Sequence, residues 1–213
     1  SKGLIYQDYK VLPYSWAAST PLSNFEANMD YRDVEDPSIY FTLDARDNYK
    51  KIIKGDKFLV WTTTPWCIPG NLAIAVGKEI EYSRISIKNN FYWIATDRLF
   101  EMKDHEIEIV DVSYGKDLIG ASYIPAYNEY EHLFKEGAFR IIHSDDTNTE
   151  SGSGLVSQAP AYGESDFYAL KNANIDVIAD PVTLSGRFDS TFKELNGLNV
   201  KDADKLIMDQ LEE

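Results

Sequence analysis

The chain has 213 residues, 44% of them hydrophobic and 26% charged, which is enough apolar content to bury a core within the usual size of one domain. A formal net charge of −14 excludes tight unaided binding to nucleic acid, because a surface this acidic is repelled by phosphates. One cysteine (Cys67) and three histidines (His105, His132, His143) exclude an internal disulfide framework, supply no zinc-ligand spacing, and fit a reducing compartment such as the cytoplasm.

The predicted elements are mostly strands. In chain order, β-rich runs bounded by turn residues cover Leu4–Tyr14, Ser38–Leu43, Lys57–Thr63, Leu72–Val76, Tyr82–Ile87, Phe91–Ala95, Ile107–Val112, Phe139–His143 and Gly154–Gln158. Lys54-Gly55-Asp56 and Lys88-Asn89-Asn90 read as hairpin loops. Helical patterning is confined to Asp97–Lys103, Ser165–Asn172 and Lys201–Leu211, the last placing Ala203, Leu206, Ile207 and Leu211 on one face. No apolar run has the length of a membrane span, and Ser1–Tyr6 lacks a signal-peptide core. The pattern predicts one β-rich α+β domain over residues 1–213, a partly closed barrel decorated by short helices. Its abrupt ends suit a module cut from a longer protein.

Two segments carry the candidate chemistry. Trp61-Thr62-Thr63-Thr64-Pro65-Trp66 follows the buried run Phe58-Leu59-Val60 and delivers three hydroxyls at a strand end, before two prolines fix an irregular turn around Trp66 up to Asn71. Three threonines in a row are equally compatible with an edge strand whose hydroxyls are solvated, Trp66 with a core aromatic, and Asn71 with a turn residue. Cys67 has no base near it in sequence to make a thiolate nucleophile. Gly152-Ser153-Gly154 reads as a turn into a strand; it has neither the lysine nor the spacing of a phosphate-binding loop. The stiffened loop Ala159-Pro160-Ala161-Tyr162-Gly163 leads into a helix whose first turn holds Asp166, where the dipole favours an ionised carboxylate that can bind a ligand ammonium. Glu164 is the competing, solvated carboxylate. His143 reads as an ordinary, partly exposed strand histidine.

Trp-Thr-Thr-Thr-Pro-Trp with the following Pro-x-Asn, then Gly-Ser-Gly-x-Val-x-x-Ala-Pro (152–160) and Gly-x-x-Asp (163–166), resembles the editing insert, or connective peptide, of isoleucyl-tRNA synthetases. Pro13-Tyr14-Ser15, Thr20–Glu26 and Val200-Lys201-Asp202-Ala203-Asp204 are also similar to that family, especially to its eukaryote-like branch, so the likeness runs over almost the whole chain. The related valyl and leucyl enzymes carry arginine where Thr64 stands and lack Trp66. The resemblance implies hydrolysis of valine wrongly esterified to isoleucine tRNA, and in some cases of valyl-adenylate. One methylene discriminates by only about 1–3 kcal/mol, and the isoleucine enzyme is the standard illustration of that limit, so a second, smaller pocket is required.

By the same resemblance, Thr62, Thr63 and Thr64 hold the terminal adenosine and the ester, Trp66 shapes the side-chain pocket, Asn71 supports the strand end, and Asp166 grips the α-ammonium. Thr63, Thr64 and Asp166 form the catalytic set. The implied partners are the 3′ end of valyl-tRNA, valyl-adenylate and the remainder of a synthetase in cis. No cofactor or metal is implied for this domain, ATP being used by the separate synthetic domain. Ser157 departs from the family, which usually has histidine at that position in recognition of the amino acid. An insert that binds the aminoacylated end without hydrolysing it is therefore the alternative. With no nucleophile–base pair in the sequence, the expected chemistry is attack by water on a positioned ester.

Overall fold

The computed structural model describes residues 4–5, 7–29 and 33–212. Tyr14–Ser15 (β1) and Thr20–Pro21 (β2) pair antiparallel as a separate ribbon. Asn24–Ala27 (α1) is one helical turn, closed by a capping box in which Ser23 Oγ accepts from the Glu26 N–H at 3.2 Å and Glu26 Oε2 from the Ser23 N–H at 2.9 Å. The strand expected over Leu4–Tyr14 does not form among its described residues short of Tyr14; Tyr6 lies outside them. Leu4 and Ile5 are 81% and 94% exposed. β-forming side chains without a partner strand do not make a sheet.

The main sheet is built on Ile39–Asp44 (β3), Lys57–Thr62 (β4), Ala73–Val76 (β5), Glu81–Ile87 (β6), Asn90–Ala95 (β7), Glu108–Tyr114 (β8), Arg140–His143 (β9) and Val156–Gln158 (β10). β4 pairs along its whole length with antiparallel β3. Its other edge is shared: β7 lies parallel to Lys57–Phe58, and β10 lies parallel at Trp61. The sheet therefore branches at β4. One branch is the antiparallel meander β7–β6–β8, the other runs β10–β5–β9. Residues 121–124 then bridge the ends of the second branch, Tyr123 pairing with Ala45 after β3 and Ser122 with Arg140 of β9. That stitch curls β3–β4–β10–β5–β9 into the expected partly closed barrel.

Alternation along β4 decides the two cores. Phe58 and Val60 enter the main core with Phe41, Leu43, Ile74 and Phe139, whereas Leu59 faces a smaller one with Ile85 and Ile94. The β6–β7 hairpin turns on Lys88 and Asn89, both at positive φ (48° and 67°), as a two-residue hairpin with the right twist requires. Residues 45–56, between β3 and β4, form a longer excursion than a simple hairpin loop. A buried polar knot fixes it: Arg84 grips Asp56 through two bonds of 2.7 and 2.8 Å, and Trp93 Nε1 and the Ile53 N–H donate to the same carboxylate.

The helical segments are short until the end. Gly115–Leu118 (α2) is one turn, and Glu164–Asn172 (α3) and Val200–Glu212 (α4) match the two C-terminal expectations to within a residue. The helix expected over Asp97–Lys103 is instead a 3-10 helix over Thr96–Met102, and Pro65–Gly70 and Glu131–Glu136 are 3-10 as well. No helix among the described residues is long and apolar enough to cross a membrane.

Candidate functional site at the end of the central strand

The branch point of the sheet creates the site. Past the Trp61–Val156 pair, β4 and β10 separate: β4 runs out through Thr62 into the threonine run, while β10 continues to Ser157 and Gln158. The glycines before β10 serve this close approach. Gly152 sits at φ +67°, and a Cβ there would stand 2.5 Å from the Trp61 indole; at Gly154 it would stand 2.5 Å from Ala95. Buried Arg98 braces the same turn by donating to the Gly152 carbonyl at 2.8 Å.

The three threonines are not equivalent. Thr62 is half-buried and its Oγ1 accepts the Thr64 N–H at 3.1 Å, a local turn that ends the strand. Thr63 is exposed, and Thr64 is half-buried at the N-cap of the Pro65–Gly70 turn without making a side-chain cap. Trp66 is half-buried, its ring packed edge-on to Tyr162 at 4.8 Å. Tyr162 belongs to the loop between β10 and α3, so the two stiffened loops pack on each other.

Asn71 lies behind this corner, 7% exposed. Its Nδ2 donates to the Ala73 carbonyl (2.8 Å) and to Ser157 Oγ (2.9 Å), and its Oδ1 accepts the hydroxyl of Tyr123 at 2.5 Å. This chain ties the barrel interior to β10 and fixes Ser157, which is also half-buried.

Asp166 is half-buried in the first turn of α3, as expected. Its Oδ2 accepts the Ala159 N–H at 2.8 Å and its Oδ1 the Ser165 hydroxyl at 3.3 Å. Burial raises its pKa above the ordinary carboxylate value, and those two donors oppose the rise only in part. The expectation that the helix end favours an ionised Asp166 thus leaves out burial, which acts the other way. Cys67 is excluded as a nucleophile on firmer ground than sequence provided: burial first, then the nearby Asp166 and Asp204, push its thiol pKa up.

Glu164 is exposed and faces a different space, an open cleft of about 910 Å³ between β9 and α3 that also takes in Arg140, His143, Ser165 and Tyr168. The lining of this cleft includes none of Thr62, Thr63, Thr64, Trp66 or Asp166. His143 lies there, half-buried, with Nε2 2.8 Å from Asp145 and Nδ1 3.2 Å from the Val76 carbonyl. Sequence reasoning gave no site role to Tyr123, Tyr162 or Asp204, although Tyr162 lay in the stiffened Ala159–Gly163 loop and Asp204 ended the Val200–Asp204 stretch.

The barrel with its split central strand is the fold of a synthetase connective peptide. The crystal structure of GlLeuRS-CP1 superposes with a TM-score of 0.61, covering 83% of this chain and 95% of that one; at 14% identity the likeness establishes the fold alone. Residues 1–173 match the family model for tRNA synthetases class I (I, L, M and V), and the chain belongs to that family. Over 99% of its length it is 41% identical to the isoleucine--tRNA ligase of Bdellovibrio bacteriovorus and 38% identical to the cytoplasmic isoleucine--tRNA ligase of Saccharomyces cerevisiae. It spans 20% of the length of each of these relatives.

Proposed function

We propose that the chain is the editing domain of an isoleucyl-tRNA synthetase and hydrolyses valine esterified to isoleucine tRNA, with valyl-adenylate as a second substrate. The observation that carries this reading is the likeness to isoleucine--tRNA ligases over 99% of the chain. The threonine run and Asp166, standing on two loops that pack against each other, are compatible with it.

In this reading the adenosine and ester lie against Thr62, Thr63 and Thr64. Thr63 and Thr64 offer hydroxyls that make no hydrogen bond among the described residues, so they can meet the developing oxyanion. Asp166 holds the α-ammonium: each carboxylate oxygen keeps acceptor capacity beyond its bond to Ala159 or Ser165. Trp66 and Thr64 bound the side-chain pocket and exclude isoleucine by size. Water is the nucleophile, as Cys67 stays protonated. The remainder of the synthetase supplies the positive surface that this acidic domain lacks, and the place of action is the cytoplasm, where the yeast relative is named.

A second reading, an insert that binds the aminoacylated end without hydrolysing it, is favoured by Ser157 in place of the family's histidine. The test is deacylation of valyl- and isoleucyl-tRNA by the full-length protein. Release of valine with isoleucine spared supports editing; no release from either supports the binding insert.

A further inference from the structure

The Pro65–Gly70 turn has an end that its own sequence leaves open. Pro65 has no N–H, and the Cys67 N–H reaches the Thr64 carbonyl at 3.0 Å. Trp66 therefore holds the turn's one N–H without an acceptor inside it. Threonine is a favoured N-cap because its hydroxyl accepts such a donor, yet Thr64 makes no side-chain cap. The acceptor comes from 138 residues away: Asp204 Oδ1 takes the Trp66 N–H at 2.8 Å.

Asp204 stands on the packed face of α4 among Val200, Ala203 and Ile207 and is itself only 6% exposed. Burial raises its carboxyl pKa, the Trp66 N–H and Lys201 opposing. Helix packing alone favours an apolar residue at such a position, since a buried carboxylate carries a desolvation penalty. Its presence needs another reason, and the open end of the Trp66 turn supplies one.

We propose that Asp204 is a positioning residue of the hydrolytic site: it caps the Pro65–Gly70 turn in place of Thr64, which holds Trp66 still and leaves the Thr64 hydroxyl free for the substrate. This rests on the editing reading above. Without Asp204, Thr64 Oγ1 becomes the natural local acceptor for the Trp66 N–H and is withdrawn from the ester.

The test uses Asp204→Asn, which keeps an acceptor, and Asp204→Leu, which keeps the shape and suits the apolar face, in the full-length protein. Asp204→Leu should melt no lower than the parent but deacylate valyl-tRNA about ten- to a hundred-fold more slowly at saturating substrate, with little change in KM. Asp204→Asn should recover most of the rate. Adding Thr64→Ala to Asp204→Leu should slow it little further, because the first change has already withdrawn that hydroxyl. Parent-like rates in Asp204→Leu, an asparagine variant as slow as the leucine one, or additive losses with Thr64→Ala would each overturn the proposal. A parent that releases no valine defeats the editing reading instead. Amide exchange at Trp66 then still judges the cap, which stands if exchange quickens in Asp204→Leu and falls if it does not.

Discussion

Asp166→Asn separates the charge of the carboxylate from its structural bond. The amide oxygen can still accept the Ala159 N–H that Asp166 Oδ2 accepts at 2.8 Å, so the loop from β10 to α3 keeps its anchor. What disappears is the charge that, in the editing reading, stands opposite the substrate ammonium. A hydrogen bond to a charged group contributes about 1.5–3 kcal/mol, so kcat/KM for valyl-tRNA should fall about ten- to a hundred-fold. Asp166→Ala should lose at least as much rate. It should also lose stability of about 1–3 kcal/mol, because the Ala159 N–H, in a residue only 3% exposed, is left without an acceptor.

The stability of the asparagine variant moves the other way. Burial raises the folded-state pKa of Asp166 above its ordinary value of 3.8. The native protein therefore holds this proton more tightly than the unfolded chain, and the penalty for ionising it develops as pH rises from 3.8 through the raised pKa. Above that window the penalty is complete; below it there is none. Asp166→Asn should melt at or above the parent temperature at neutral pH, with the difference vanishing as pH is lowered towards 3.8. Single-turnover deacylation and thermal melts across pH read both effects. Glu164→Ala, a change in the neighbouring cleft, should be silent in both. A parent-like rate in Asp166→Asn, or damage from Glu164→Ala, would refute the assignment.

Other outcomes follow from the same geometry. Thr63→Ala should slow deacylation and leave melting unchanged, since Thr63 is exposed, whereas Thr62→Ala should lower both, removing the acceptor of the Thr64 N–H at a cost of about 1 kcal/mol. If the editing reading holds and Trp66 and Thr64 exclude the extra methylene by size, Trp66→Ala or Thr64→Ala should raise hydrolysis of isoleucyl-tRNA relative to valyl-tRNA, read as a ratio of rates. Asp56→Ala should cost about 3–5 kcal/mol in denaturant unfolding, as it leaves the Arg84 guanidinium buried and unpaired. The 213-residue chain on its own should bind tRNA weakly; a salt-sensitive, sub-micromolar complex would contradict the expectation from its −14 charge.

The fold was legible where local pattern and burial agree. The apolar run Phe58-Leu59-Val60 announced a buried strand, and β4 buries all three side chains; Lys88-Asn89 could be read as a hairpin turn because asparagine tolerates positive φ. Leu4–Tyr14 shows the limit: its residues suit a strand, but pairing is a property of the partner, and among the described residues before Tyr14 none is there. The site was legible as far as its residue types went, since hydroxyls and a carboxylate on stiffened loops announce polar recognition. What stayed hidden were the long-range polar bonds. Asp56 with Arg84 and Trp93, Asn71 with Tyr123, and Asp204 with Trp66 are separated by 28, 37, 52 and 138 residues, and no periodicity encodes which distant donor meets which acceptor. The threonine run shows the same gap on a smaller scale, because sequence presents three equal hydroxyls and only the bend after Thr62 makes one structural while the others make no bond among the described residues.

In the editing reading, these hidden bonds supply what a site without an activated nucleophile needs for hydrolysis. No activated nucleophile stands here: burial, aided by the nearby Asp166 and Asp204, pushes the Cys67 thiol pKa up, and Asp166 is anchored by two accepted bonds while keeping acceptor capacity for a ligand. Around them, the buried polar side chains hold backbone in place. Asn71 fixes Ser157, Arg98 fixes the turn before β10, Asp166 fixes Ala159 and Asp204 fixes Trp66. An ester is already activated towards water, and orienting both reactants can contribute about 7–11 kcal/mol. Rigid loops with a few unbonded hydroxyls are then the machinery such a reaction needs. Substitutions that loosen a loop should consequently reduce the rate as much as those that remove a hydroxyl facing the substrate.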